Sequence, residues 1–279
     1  MDRPMFLLSL LATSAARPVA APFAREERLG RGRLGVCAID LRDGRRIGRR
    51  ERERFPLAST FKLPLVMAVL SRVDRGLERL DRKLAFRASE ILAYSPAEGR
   101  HPRGGSLTIA ELCAAAIEQS DNTAANLLMR TLGGPSGVTS YVRSLGDTVT
   151  RLDRTEPALN TTTPGDVRDT TTPFAMATLV ARLVRDPVLS PSSKATLFGW
   201  LRATRTGLTR IRAGVPRDWA VGDKTGTTDT AGNDVAILWP RTGAPLVIAV
   251  YFAEVQAPDE ARDAAIAAVA HDVVRTLRH

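Results

Sequence analysis

Residues Trp219 to Val255 read WAVGDKTGTTDTAGNDVAILWPRTGAPLVIAVYFAEV. Three runs rich in β-branched and aromatic residues, Trp219–Thr228, Asn233–Trp239 and Leu246–Val255, are parted only by turn residues, Asp229–Gly232 and Arg241–Pro245. Connections this short leave no room for a crossover, so the stretch predicts an antiparallel meander. Beyond it, Ile266, Val269, Val273 and Leu277 recur three and four apart, the apolar face of a closing helix over Asp259–Leu277. At the other end, Leu34–Leu41 reads as a strand, Asp43-Gly44 turns the chain, and an Arg-rich strand returns to about Glu51. The two ends together supply five strands. The expected fold class is α/β of the α+β type: a five-stranded antiparallel sheet flanked by helices, with an inserted all-helical domain.

The insertion is legible as helices. From Ser59, residues Phe61, Leu65, Ala68, Val69 and Val73 follow helical spacing to Gly76, with Pro64 in the first turn, where a missing N–H costs least. Thr108-Ile109-Ala110-Glu111 is a capping box, with Leu107 and Leu112 spaced as its hydrophobic staple. That helix breaks at Ser120-Asp121-Asn122 and restarts through Leu127 and Leu128 to Gly133-Gly134. A short helix over Val138–Leu145 follows, and others after Pro173 and over Ser192–Leu201. Between them, 146–172 shows little periodicity and many Thr, Asp and Pro residues; a loop that long inside a domain is usually functional. The expected division is 22–57 with 211–279 as the α/β domain and 58–210 as the helical one.

Composition narrows the function. With 44% hydrophobic and 25% charged residues in 279, the chain is globular rather than disordered. No apolar run reaches the length of a membrane-spanning helix. Three histidines, His101, His271 and His279, and two cysteines, Cys37 and Cys113, leave little for a metal centre; neither metal nor cofactor is expected. The cysteines read as buried free thiols. Net charge is +10, with 36 Arg against 4 Lys, and eleven Arg face six acids between Arg25 and Arg54. That stripe has no interleaved aromatics and matches no recognition module, so it reads as solubilising surface and no nucleic-acid partner is expected. An apolar stretch, Met5–Ala12, precedes small residues at Ser14-Ala15-Ala16 and Val19-Ala20-Ala21, so residues 1–21 read as an export signal and the protein as periplasmic or secreted. A monomer is expected.

The chemistry begins at Ser59-Thr60-Phe61-Lys62. Ser and Lys three apart share a helix face, a serine at a helix start has a free backbone N–H, and an adjacent amine can take up its proton. An Arg-dominated chain that keeps Lys at 62 and 224 is using groups that can give up a proton, which guanidinium does not. Ser120-Asp121-Asn122 follows 61 residues after Ser59, and Lys224-Thr225-Gly226 begins 104 residues after Ser120. Together S-x-x-K, S-D-N and K-T-G are the signature of class A β-lactamases and penicillin-binding proteins. Arg154-Thr155-Glu156-Pro157-Ala158-Leu159-Asn160 resembles the R-x-E-P-x-L-N segment of the class A omega loop (about 151–169), and Arg168-Asp169-Thr170-Thr171 its closing end. Tyr94-Ser95-Pro96, Arg210-Ile211-Arg212, Val221–Thr227 and Asn233-Asp234-Val235-Ala236 are also similar to that family. From about Leu29 onward the chain resembles a class A serine β-lactamase.

The resemblance implies a β-lactamase/transpeptidase-like fold and a small-molecule β-lactam substrate. It implies Ser59 as nucleophile, with the N–H groups of Ser59 and Thr227 as oxyanion hole. Either Lys62 or Glu156 acting through a water would deprotonate Ser59. Ser120 would pass a proton to the departing ring nitrogen beside Lys224. Thr225, Gly226, Thr227 and Arg210 would meet the substrate carboxylate, Asn122 its side-chain amide, and Tyr94 would wall the cleft. Glu156 and Asn160 would hold the hydrolytic water, with Glu156-Pro157 cis and Arg154 paired to Asp169 across the loop's neck. Asp121 and Asp223 are expected to serve structure. A D-alanyl-D-alanine carboxypeptidase is the alternative, against which Glu156 and Asn160 stand. A basic binding protein without activity is disfavoured by the joined motifs, and a Ser-His-Asp hydrolase by the positions of the histidines. Ala58 and Thr228 stand where some carbapenem-hydrolysing relatives carry a disulfide, which this chain cannot form.

Overall fold

The computed structural model describes residues 22–161, 163 and 165–278; the segment 1–21, read as an export signal, lies outside them. In chain order the elements are α1 (Ala24–Gly30), β1 (Arg33–Asp40), β2 (Arg46–Arg49), β3 (Phe55–Pro56), a 3-10 turn (Ala58–Phe61) and α2 (Lys62–Asp74). Next come β4 (Lys83–Arg87), β5 (Gly104–Thr108), α3 (Ile109–Glu118), α4 (Asn122–Thr131) and α5 (Pro135–Ser144). The last group is β6 (Thr170–Thr171), α6 (Pro173–Arg185), α7 (Pro191–Arg202), β7 (Ala220–Thr228), β8 (Ala231–Trp239), β9 (Leu246–Ala253) and α8 (Asp259–Arg278).

The five expected strands form one antiparallel sheet in the order β2-β1-β9-β8-β7, so the first and last segments of the chain meet at β1 and β9. Both faces of its middle are buried. Cys37, Val235, Ile237, Val247, Ala249 and Tyr251 pack toward α2 and α6; Val36, Ala38, Ala236, Leu238, Ile248, Val250 and Phe252 pack toward α8. That is why Leu246–Ala253 is uniformly apolar rather than alternating. The turn between β7 and β8 is shorter than the turn residues suggest. Ala231 and Gly232 pair with Thr228 and Thr227, leaving Asp229-Thr230 as a two-residue turn. A Cβ on Gly232 would lie 2.3 Å from Arg262 Cδ, so this glycine serves packing.

α2 differs from its expected one-sided pattern. Every residue from Lys62 to Leu70 is buried, so the helix runs through the interior with no solvent face over that length. The 3-10 turn leading into it carries Ser59, and its own first residue is the buried Lys62. Two minor ribbons position the rest. β4 pairs with β5 just before α3. β3 pairs with β6, and Leu57 N–H donates to Asp169 O at 2.8 Å, which fastens the end of the 151–169 loop beside the 3-10 turn.

α1 was not legible; seven residues give too little periodicity. Its Glu27 accepts from Arg49, from Arg50 and from Leu34 N–H. Arg33, Arg42, Arg45 and Arg46 are likewise paired, with Glu53 and Glu254, Asp40, Asp43 and Glu51, so much of the basic stripe is neutralised within the fold. Cys37 and Cys113 are free and buried. Among the described residues, no helix is long and apolar enough to cross a membrane.

The capping box forms as read: Thr108 Oγ1 accepts from Glu111 N–H at 3.2 Å, and Glu111 Oε2 accepts from Thr108 N–H at 2.7 Å. Thr108→Ala should lower the unfolding free energy by about 1 kcal/mol in urea titration. No change there would mean that packing alone holds the start of α3.

Candidate active site

Ser59 sits in the 3-10 turn, and Ala58 before it takes φ 42°, a left-handed conformation unusual for a residue with a Cβ. One turn on, Lys62 Nζ donates to Ser59 Oγ at 2.9 Å, Ser120 O at 2.7 Å and Asn122 Oδ1 at 2.7 Å. Glu156 Oε1 lies 3.1 Å from the same nitrogen, and neither side chain of that pair is solvent-exposed. Burial pulls the Lys62 ammonium below the usual lysine range, and Glu156 opposes this.

Ser120, at φ 58°, bridges two amines: its Oγ is 3.0 Å from Lys224 Nζ and 3.5 Å from Lys62 Nζ. Lys224 is fully buried, and burial followed by the charge on Lys62 pushes it well below the usual lysine value. Asp121 serves structure as expected. Its Oδ1 caps α4 through Ala124 N–H and its Oδ2 accepts from Ala97 N–H. Asn122 N–H donates to Tyr94 O, which holds Tyr94 at φ 59° with its ring 60% exposed at the rim.

The 151–169 loop delivers Glu156, whose peptide bond to Pro157 is cis. Arg154 Nε donates to Asp169 Oδ2 at 2.5 Å, and Asp169 Oδ1 accepts the N–H groups of Asp153 and Arg154, closing the neck. Asn160 Nδ2 donates to Glu156 Oε2 at 2.6 Å. Asn160 Oδ1 is buried with no hydrogen-bond partner among the described residues. Sequence reasoning missed Asn126 on α4. Its side-chain amide accepts from Glu156 N–H at 3.0 Å and donates to Glu156 O at 2.9 Å, clamping the backbone of the acid. The signal present was Asn126 one turn after Asn122 on the same helix, but its partner lies 30 residues away.

β7 forms the opposite wall. A Cβ on Gly226 would lie 2.9 Å from Leu57 O, 3.1 Å from Ala58 Cβ and 3.1 Å from Ser59 N, so only glycine lets this strand press on the nucleophile's turn. Arg210 is buried. It donates through Nε to Asp263 Oδ1, through Nη1 to Asn233 O and Gly226 O, and through Nη2 to Thr227 Oγ1 at 2.9 Å. Thr206 Oγ1 lies 2.7 Å from Thr225 Oγ1. Neither Thr206 nor Asp263 was anticipated; each stands among other polar residues, and only its distant partner, Thr225 or Arg210, sets it apart.

Behind this wall two carboxyl groups share the interior. Asp223 pairs with Arg212 at 2.5 Å, and Asp234 accepts from Ile211 N–H at 3.1 Å. The register places them diagonally across β7 and β8. Burial drives both carboxyls upward, Asp223 to about 6 and Asp234 well above the carboxylate range.

Every expected site residue converges here. Ser59, Tyr94, Ser120, Asn122, Asn160, Arg210, Thr225, Gly226 and Thr227 line one cleft of about 420 Å³, together with Thr206, Gly207 and Asp263. Lys62, Glu156 and Lys224 lie buried beneath its floor. A cavity of similar volume behind the loop is lined by Arg33, Arg54, Leu159 and Val167. Its lining has threonines but no lysine or histidine to activate one, so the chemistry selects the first. The described residues contain no group of three or more His, Cys, Asp or Glu that could hold a metal ion. The arrangement suits acyl transfer: a hydroxyl with an adjacent amine, a second hydroxyl between two amines, and a buried acid paired with the first amine.

Comparison with known proteins gives the same answer. The family model described as the beta-lactamase enzyme family matches residues 20–277. Beta-lactamase L2 of Stenotrophomonas maltophilia is 47% identical over 241 residues, covering 86% of this chain and 79% of that protein. Beta-lactamase CTX-M-97 of Escherichia coli is 42% identical over 268 residues, covering 96% and 92%. A solved class A beta-lactamase described as the last common ancestor of Gram-negative bacteria superposes with TM-score 0.89 at 52% identity, covering 92% of this chain and 98% of that one.

Two outcomes follow from this geometry. Gly226→Ala should push β7 off the Ser59 turn and slow acylation of Ser59, on the order of 100-fold for a shift near 1 Å, followed by mass spectrometry. An unchanged acylation rate would show that the turn yields freely. The second concerns Asp223, whose folded value of about 6 lies above its ordinary 3.8. Its contribution to stability is therefore full below about pH 4 and is lost as pH rises through about 6. Compared with Asp223→Asn in urea, the wild type should lose ground between those two values; a gap independent of pH would refute this.

Proposed function

As a member of the class A β-lactamase family, this chain hydrolyses the amide bond of β-lactam antibiotics and so confers resistance to them, and we propose the following division of labour among the residues of its cleft. Ser59 Oγ attacks the lactam carbonyl. The direct 2.9 Å contact favours Lys62 as the group that takes the serine proton. To do so it must first be neutral; burial favours that form, and the Glu156 carboxylate 3.1 Å away can accept the ammonium proton. The backbone N–H groups of Ser59 and Thr227 receive the oxyanion, a contribution of roughly 3–4 kcal/mol per donor in comparable hydrolases. Ser120 hands its proton to the ring nitrogen as the C–N bond breaks, Lys62 replaces it with the proton taken from Ser59, and Lys224 on the other side holds the Ser120 oxygen in place. Thr225, Gly226, Thr227 and Arg210 frame the substrate carboxylate, Asn122 meets the side-chain amide, and Tyr94 walls the entrance.

Deacylation belongs to Glu156. Once Glu156 has returned its proton to Lys62, its carboxylate takes a proton from a water that Asn160 holds through its free Oδ1 as that water attacks the Ser59 ester; Lys62 then protonates the departing Ser59 oxygen and is recharged by Glu156. Asn126 fixes the backbone of that acid. The single observation that carries the reading is this placement of a buried glutamate within reach of the amine that touches the nucleophile. A carboxypeptidase of the same superfamily has no need of a water-holding glutamate. One chain supplies the whole cleft, so catalysis needs no second copy. The export reading of residues 1–21 puts its action in the periplasm or outside the cell.

With a chromogenic cephalosporin the wild type should turn over many equivalents, and Ser59→Ala should be inactive. Glu156→Ala should acylate and then stall, leaving a stable adduct on Ser59 by mass spectrometry. A Glu156→Ala protein that releases its acyl group at the wild-type rate would remove Glu156 from the hydrolytic step.

A further inference from the structure

Thr225 and Thr227 each bring one hydroxyl to the cleft, and each hydroxyl has one proton. A carboxylate only accepts, so either threonine can serve it only by aiming that proton forward. For Thr227 the direction is forced. Arg210 has no acceptor, so its 2.9 Å contact with Thr227 Oγ1 must run from guanidinium to hydroxyl, and the proton of Thr227 is left for the cleft. Asp263 and the carbonyls of Asn233 and Gly226 occupy the inner N–H groups of Arg210, so much of its effect on an anion passes through Thr227.

Thr225 has an equivalent partner behind it. Thr206 Oγ1 lies 2.7 Å from Thr225 Oγ1; buried Thr204 donates its one proton to Ile117 O at 3.5 Å, and its contact with Thr206 Oγ1, also 3.5 Å, is much longer than the one Thr206 makes with Thr225. The segment carrying these hydroxyls is fastened to the end of α3 by Arg205 N–H to Glu118 O at 2.8 Å, and it then turns through Arg210 N–H to Gly207 O at 2.9 Å. Gly207, at φ +73°, would bring a Cβ to 2.3 Å from Thr225 Cγ2, so the segment presses directly on Thr225.

We propose that Thr206 is a positioning residue for the substrate carboxylate, donating to Thr225 Oγ1 so that the proton of Thr225 is turned toward the anion. Its hydroxyl does for Thr225 what Arg210 does for Thr227. With no anion present the Thr206–Thr225 bond can run either way; a bound carboxylate selects one. Hydroxyls linked in line polarise one another, so the last donor binds an anion more strongly than an isolated threonine. The proposal rests on the reading of Thr225 and Thr227 as the carboxylate site.

The test is steady-state kinetics on a chromogenic cephalosporin and on its methyl ester, with Thr206→Val, Thr206→Ser and Thr225→Val. Thr206→Val should raise KM for the free acid by about two- to ten-fold, the range for one neutral hydrogen bond, with little change in kcat. Thr206→Ser should restore the wild-type value, and the ester should show a smaller penalty than the acid. The proposal is overturned if Thr206→Val leaves KM for the acid unchanged, if acid and ester suffer alike, or if Thr206→Ser behaves as Thr206→Val. Should Thr225→Val raise KM for the acid while Thr206→Val does not, only the role of Thr206 falls. Should neither variant move it, the carboxylate site itself has been misplaced.

Discussion

Lys62 and Glu156 meet 3.1 Å apart with neither side chain exposed. Two charges taken out of water each carry a penalty of several kcal/mol, and their attraction offsets it only when the geometry is held and the remaining polar atoms are satisfied. Much of the surrounding structure can be understood as holding that geometry. Ser59, Ser120 and Asn122 occupy the remaining reach of the ammonium, while Asn160 binds one carboxylate oxygen and Asn126 clamps the acid's backbone. Arg154 and Asp169 close the neck of the loop that brings the acid in, and the β3–β6 ribbon fastens that neck beside the nucleophile. Losing one partner would strand the other, a cost of roughly 3–5 kcal/mol.

The same logic extends outward. Lys224 adds a second buried amine; beneath β7 and β8 lie Asp223 and Asp234, and beyond them Arg212, Arg210 and Asp263. Groups of both signs alternate through this wall, and the one arginine that reaches the cleft, Arg210, is itself paired with Asp263. A chain that uses arginine almost everywhere else keeps lysine at the two positions nearest the serines. A compact ammonium can be discharged by burial, whereas guanidinium stays charged.

The sheet was legible because β9 and the Val235–Leu238 stretch of β8 are buried on both faces and therefore read as unbroken apolar runs between short turns. The nucleophile and its amine were legible because one helical turn separates them, and Thr108 with Glu111 because a capping box is local. What remained hidden depends on distant pairing. β3 and β6 are two residues each and lie more than a hundred positions apart, and α1 is too brief to show a period. Asn126, Thr206 and Asp263 gain meaning only from partners that the fold brings to them. Leu63–Leu70 is an unbroken apolar run, a signal for the all-round burial of α2 that the three- and four-residue spacing masks.

The sheet ends on two outer strands, β2 and β7, whose backbones could in principle recruit another chain. β2 is blunted by its four-residue length and by Arg46 and Arg49. β7 is nine residues long and flanked instead by the turn bearing Ser59 and by the Gly207 segment that leans on Thr225. The elements that perform catalysis are therefore also the guard on the long edge. Loosening them to widen the cleft for bulkier substrates would uncover a template for intermolecular strand pairing, and this ties the breadth of what the enzyme can admit to its resistance to aggregation.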